Sequence, residues 1–362
     1  MHKLSHYSQE EQKLKRFVFF AECFLVKGPL RTAIYDLCRN KYKFIPNDLA
    51  NMIEQFEGKT LAEVKDFYGV ENEAIVNKYF DLLEKGEYIF WCDADEVELF
   101  PKIELSWDYP AHISNVIIDI DTHSTHDLQM LFEQIEQLGC RYIQFRSFTE
   151  KSLPFWEQVL KGLSTTAFKA IEIITKYTPE FTFENVKELY DKNMRIHTFI
   201  IHSSPEYFFQ EKTEESPSIE RIAFIEEEIN SPFDGRKMHP SYFNVNGQLF
   251  MEAHYHHTYF NRKLCIDTNG AIKNCNTLPE SFGNVKDTLL KDAIVQDGFQ
   301  DLWHITKEDT KVCQDCEFRY MCVDARKPLR GDDGLFYHET PCAYDPYTAK
   351  WAEVKKTADV ER

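Results

Sequence analysis

The chain has 362 residues, 43% of them apolar and 14% aromatic, and its 42 Lys and Arg against 60 Asp and Glu leave a net charge of −18. That length suits two or three domains, while the acidity argues against nucleic acid and anionic membrane surfaces, which need clustered Lys and Arg. A basic peptide segment or a basic protein surface suits the charge better.

At the start, MHKLSHYSQEEQKLKRF lacks the apolar core of a secretion signal. No run approaches the ~20 apolar residues that span a bilayer. We therefore expect a cytoplasmic protein, in which clustered cysteines favour metal binding or catalysis over disulfides.

The apolar run FVFFAECFLV (17–26) predicts a strand or hairpin opening a small domain. PLRTAIYDLCRN (29–40) has helical spacing with Pro29 at its start. IPNDLANMIEQFEG reads as a helix capped by Asn47 or Asp48 and stopped at Gly58. TLAEVKDFYG starts a further helix behind Thr60, NEAIVNKYFDLLEKG is amphipathic, and EYIFWC returns as a strand. Strand, short helices and strand outline a winged-helix domain over 1–95.

Residues 96–239 alternate strands (ISNVIIDID, CRYIQFRSF, KAIEIITKY, RIHTFIIHSS, RIAFIEEEI) with helices (THDLQMLFEQIEQLG, PFWEQVLKGL, FTFENVKELYDKNM). Such alternation predicts an α/β fold with a parallel sheet of βαβ units, open or curled toward a barrel, with too few repeats to close an eight-fold one. EKTEESPS (211–218) reads as an exposed polar loop. From 240 to 362 the pattern becomes short strands (GQLFMEAHY, KLCID, AIKNC) separated by turns, then a cysteine-rich stretch.

Cys23, Cys38, Cys92 and Cys140 are isolated in apolar settings and read as core thiols. The other six crowd into the last hundred residues. Cys313-x2-Cys316 has the spacing of a chelating knuckle; Cys322 adds a third sulfur and Cys342 can return as a fourth. Upstream, Cys265 and Cys275 fall at the two ends of a hairpin turned by TNG, where Gly270 supplies the positive φ. Four sulfurs suit either a 4Fe-4S cluster or zinc. In a region with little core, thiolate–metal bonds can act as the folding staple.

This region resembles the SPASM domain, the cluster-binding extension of radical SAM peptide-modifying enzymes. The resemblance rests on Cys265, Gly270-x4-Cys275, Cys313-x2-Cys316-x5-Cys322 and Cys342, within FNRKLCIDTNGAIKNC…FGNV…W…VCQDCEFRYMCVDAR…CAYDPYTAKW, over about 240–352. It looks specifically like the SPASM proteins of grasp-with-spasm systems, where an ATP-grasp ligase and a SPASM protein act together on a ribosomally made peptide (RiPP).

Two departures from the family stand out. No three cysteines have the Cys-x3-Cys-x2-Cys spacing of the cluster that cleaves S-adenosylmethionine, and ISNVIIDID runs into THSTHDLQ instead. The resemblance then implies a degenerate, partial radical-SAM-like barrel without S-adenosylmethionine chemistry. A further family cysteine after Cys322 is also missing: Ala325 stands in that stretch and no thiol occupies 323–341. Cys313, Cys316, Cys322 and Cys342 can still complete one four-sulfur site. Cys265 and Cys275 either bind with His254, His256 or His257, hold an incomplete site, or stay as thiols.

The N-terminal domain resembles the winged-helix recognition element that captures leader peptides as an added strand, with Phe17, Val18, Phe19 and Phe20 beside the groove. The implied function is a RiPP maturation protein that binds a precursor peptide and assists an ATP-grasp ligase. The alternative is an iron-dependent redox peptide-modifying enzyme using the SPASM site.

One other constellation carries polar chemistry. DIDTHSTHD (Asp119 to Asp127) ends a barrel-type strand where such folds do chemistry; it is either a metal site with His123 and His126 or a polar loop with Thr122 or Thr125 capping the next helix. No Walker loop or dinucleotide fingerprint occurs, so ATP hydrolysis is not expected of this chain.

Overall fold

The computed structural model describes residues 14–211, 213, 221–233 and 243–352. Most of the N-terminal stretch read for a secretion signal, and the 211–218 loop apart from Glu211 and Thr213, lie outside them. Strand β1 (Arg16–Phe19) pairs antiparallel with β5 (Ile89–Cys92). Between them a meander of β2 (Cys23–Lys27), β3 (Thr32–Asp36) and β4 (Lys41–Ile45) precedes three helices, α1 (Asn47–Phe56), α2 (Leu61–Tyr68) and α3 (Glu73–Lys85). Thr60 closes a reciprocal capping box at α2: Glu63 N donates to Thr60 Oγ1 at 3.2 Å, and Thr60 N donates to Glu63 Oε2 at 2.7 Å.

The helix expected over 29–40 is instead β3 and its flanking turns. All five residues of β3 are buried, because the strand is covered on both faces. Ile34 packs with α1 and α3, while Ala33 and Tyr35 pack against residues beyond 240. A strand buried on both faces shows no polar–apolar alternation, so helical spacing and β-structure look alike there.

The centre is an eight-stranded sheet in the order β10-β11-β9-β8-β7-β6-β12-β13. Its successive βαβ units are β6 (Asn115–Ile120), α4 (Leu128–Gln137), β7 (Tyr142–Glu150), α5 (Leu153–Gly162), β8 (Ala170–Lys176), α6 (Phe183–Lys192) and β9 (Ile196–His202). Strands β6 to β9 run parallel, as does β11 (Arg221–Phe224) beside β9, and β10 (Phe208–Glu211) closes one edge antiparallel. At the other edge β12 (Lys263–Ile266) runs parallel to β6, with β13 (Ile272–Lys273) antiparallel outside it. The hairpin carrying Cys265 and Cys275 is thus built into the main sheet.

Side chains alternate across these strands. Ile118, Phe145, Ile173 and Phe199 face the helices and join Leu131, Phe132, Trp156 and Leu189 in the main core. The intervening residues Asp119, Arg146, Glu172 and Cys265 point to the opposite face, which is polar. Among the described residues no helix is long and apolar enough to cross a membrane.

GQLFMEAHY, expected as a strand, begins a helix, α7 (Gly247–Ala253). Asn246 Oδ1 caps it by accepting from Leu249 N at 2.8 Å, and Phe250 and Ala253, three apart, are its buried residues. A separate aromatic core ties this helix and the cysteine-rich stretch to the N-terminal meander. Phe318 packs on Tyr42, Phe44, Phe243, Tyr344 and Trp351, and Phe250 on Phe24 and Tyr35.

Candidate metal centre

The knuckle begins at Val312, a non-glycine residue at φ +67°, which turns the chain into a single 3₁₀ turn over Cys313–Asp315. Cys316 N then donates to Cys313 O at 3.0 Å. Phe318 N points back at Cys316 Sγ, 3.4 Å away, and Tyr344 N makes the same 3.4 Å contact to Cys342 Sγ. Two Cys-x-aromatic turns therefore each aim a backbone N–H at a sulfur, an arrangement that stabilises negative charge there. Burial pushes the Cys316 thiol up to about 12 and drives Cys322 well above the usual thiol range, and Cys313 lies within electrostatic reach of both. Cys342 also acts electrostatically on Cys313, but among the described residues no three of these four sulfurs lie within 4.8 Å of one another.

Around them are polar groups that reading the sequence missed. Asp324, 2% exposed, accepts from Lys307 Nζ at 3.2 Å and from Arg326 through Nε at 3.0 Å and Nη2 at 2.6 Å. Lys307 is itself only 2% exposed. Two cations thus face a single buried carboxylate. The surplus positive charge is what deprotonated sulfurs around a metal would neutralise, so the residues present fit a thiolate-bound metal.

Cys313 Sγ, a carboxylate oxygen of Asp324 and a ring nitrogen of His338 lie within 4.8 Å of one another. The signal in the sequence was His338-x3-Cys342, a chelating spacing that the Cys-x2-Cys pattern upstream overshadows.

Cys265 and Cys275 meet at the β12–β13 hairpin. Gly270 turns it at φ +85°, where a Cβ would come within 3.0 Å of Asn284 and Val285. Cys265 donates to the Cys275 sulfur, which holds Cys275 below the usual thiol range, while burial drives Cys265 well above it. Thr277 Oγ1 lies 3.1 Å from Cys275 Sγ. Lys263 and Arg146 add positive charge beside the pair, so it favours one thiol and one thiolate.

The three candidate histidine partners sit elsewhere. His254 donates from Nδ1 to Phe250 O at 2.7 Å and stacks on Tyr320. His256 faces His304, with ring centroids 5.2 Å apart. His257 Nδ1 accepts from Tyr259 N at 3.1 Å and Phe260 N at 3.3 Å. Among the described residues no third Cys, His, Asp or Glu ligand atom lies within 4.8 Å of both sulfurs.

The DIDTHSTHD segment is occupied with its own hydrogen bonds. Asp119 takes a two-pronged ion pair from Arg146, at 2.6 and 2.7 Å, and a third bond from Asn276 Nδ2 at 2.5 Å. Asp121 accepts from His123 N and Ser124 Oγ, and His126 Nε2 donates to Asp119 O. The cap of α4 is Asp127, accepting from Met130 N at 3.0 Å, in place of Thr122 or Thr125.

Phe17, Val18 and Phe19 are buried, and Phe20 is half-buried against Phe90. The side of β1 away from β5 is covered by residues 57–60: Phe17 N donates to Lys59 O, Gly58 N to Phe17 O, and Phe19 N to Glu57 Oε1. Among the described residues β2, β4 and β5 each pair with one strand only; of these β4, which bonds to β3, alone carries exposed side chains, Lys41 and Lys43.

No family model and no curated protein matches the chain. Similarity to solved structures is distant. A crystal structure of Streptococcus suis SuiB bound to S-adenosylmethionine shares 12% identity at a TM-score of 0.33, covering 85% of this chain and 94% of that one. SuiB bound to the precursor peptide SuiA gives 11% and 0.29 over the same shares, and SuiB alone 10% and 0.25 over 84% and 94%.

Proposed function

We propose that this chain is a RiPP maturation protein: it binds a ribosomal precursor peptide and presents it to an ATP-grasp ligase, on a scaffold stapled by a metal at Cys313, Cys316, Cys322 and Cys342. The observation that carries this reading is the shared aromatic core around Phe318, which fuses a meander with an unpartnered edge strand directly to the cysteine module. In this reading the leader peptide extends the β2–β3–β4 sheet at β4 rather than at β1, whose second side is covered. The bound metal, a 4Fe-4S cluster or zinc, supplies rigidity. The chain does not cleave S-adenosylmethionine, because the segment after β6 holds no cysteine and no Cys-x3-Cys-x2-Cys occurs.

Binding is measured by co-purifying tagged protein with a co-expressed precursor peptide and ATP-grasp ligase. Retention of the peptide, lost when β4 is broken by Lys43→Pro, is the expected result. Retention of neither partner sinks the reading.

A second reading, an iron-dependent redox enzyme, is favoured by one feature: the thiol–thiolate pair Cys265–Cys275 beside Arg146 and Lys263. Cys265→Ala separates the two. Peptide modification abolished in a folded, peptide-binding protein supports chemistry at the pair, and unaltered modification removes it.

A further inference from the structure

The orientation of His338 is what the sulfur pattern leaves unexplained. Its side chain is 5% exposed, and its Nδ1 lies 3.3 Å from Lys327 O. A carbonyl oxygen only accepts, so Nδ1 carries the hydrogen and the lone pair of the neutral ring sits on Nε2. That Nε2 is buried and makes no hydrogen bond. It stands 3.4 Å from Asp324 Oδ2, in the same cluster as Cys313 Sγ.

A buried lone pair without a donor costs free energy unless something takes it up. Asp324 is a poor candidate for that, since both its oxygens are already held by Lys307 and Arg326. A carbonyl fixing one imidazole nitrogen while the other faces a thiol is the usual arrangement of a metal-ligating histidine. Four residues downstream, Cys342 brings its sulfur into the same neighbourhood.

We propose that His338 Nε2 is a ligand of the metal bound by Cys313, taking one of the positions that an all-sulfur set of Cys313, Cys316, Cys322 and Cys342 would give to a thiolate, so that this centre has a mixed sulfur–nitrogen donor set. Asp324 acts as a positioning residue: it holds Lys307 and Arg326 against the site and is not itself a ligand. Binding would displace the Cys313 thiol proton as the metal–sulfur bond formed, whereas the lone pair on His338 Nε2 would be available without loss of a proton. The inference rests on the proposed cysteine metal centre.

X-ray absorption at the bound metal's edge, on full-length protein purified without oxygen, counts nitrogen against sulfur neighbours and needs no variant. A nitrogen shell at about 2.0–2.1 Å is expected for zinc. His338→Ala then removes that shell and weakens binding of cobalt(II), used as a spectroscopic probe, by at least about tenfold. His338→Cys restores cobalt binding with a stronger sulfur charge-transfer band, which shows that the variant folds. Metal present with sulfur neighbours only, and a cobalt spectrum unmoved by either substitution, overturns the role of His338 and leaves the cysteine centre standing. No metal retained by any form, with a spectrum also unmoved by Cys313→Ala, overturns both.

Discussion

Asp119 and Arg146 show how the sheet handles charge. The pair bridges β6 and β7 at 1% and 5% exposure, with Asn276 as a third partner, so neither charge is left alone. Removing one partner strands the other in a dry site, and Asp119→Ala is expected to cost about 3–5 kcal/mol. The double variant Asp119→Leu with Arg146→Met recovers most of that loss, measured by urea denaturation. His202 gives a second prediction, of acid sensitivity. Its Nε2 donates to Ser147 O at 3.0 Å while Nδ1 accepts from Ile229 N at 3.3 Å, so the neutral ring is the one that fits. Burial holds its pKa below the usual 6.5. The unfolded chain therefore binds a proton that the folded one refuses. Stability from His202 is present above pH 6.5 and falls as pH drops toward the lowered folded value. The urea midpoint gap between wild type and His202→Gln should shrink between pH 7.5 and 5.5.

Among the elements, the parallel strands and their helices were legible because Val and Ile runs alternate with helical segments; the structure adds the caps of α5 and α6, Ser152 and Thr182. The departures have a common cause. Strand β3 looked helical because partners hundreds of residues away cover it, and α7 looked like a strand because seven residues carry too little periodicity to distinguish the two. At the site, the thiol spacing was readable, but Glu317 was not. It is a carboxylate 1% exposed, held by Arg31 at 2.7 Å and Tyr344 at 2.5 Å, and nothing between two cysteine-rich turns marks it as buried. The element that most depends on such distant pairing is the Cys316–Phe318 turn. Phe318→Ala empties a site lined by five aromatic rings and is expected to cost about 3–5 kcal/mol. Calorimetry should show the N-terminal meander losing heat stability along with the cysteine module, whereas the central sheet, with its own core, changes less.

For the whole molecule, the proposed function and the shared core together predict that metal at the cysteine turns and peptide at the meander bind in linkage. Stripping the proposed metal with a chelator is expected to loosen the turns that carry Phe318 and Tyr344, and so the face of the meander they cover. Affinity for the precursor peptide, followed by fluorescence anisotropy, should fall on chelation and return on reloading. Unchanged affinity in metal-free protein would separate the two sites. The same seam orders events during synthesis. Tyr35 leaves the ribosome early, yet the groups that seal it, Phe250 and the carbonyl of Glu317, are translated more than two hundred residues later. Until then the meander shows a bare aromatic flank, which in a nascent chain invites chaperones or aggregation. Under the proposed function, a meander that matures as a peptide-capture module only once the cysteine turns have been made, and loaded, would keep half-built protein from sequestering precursor.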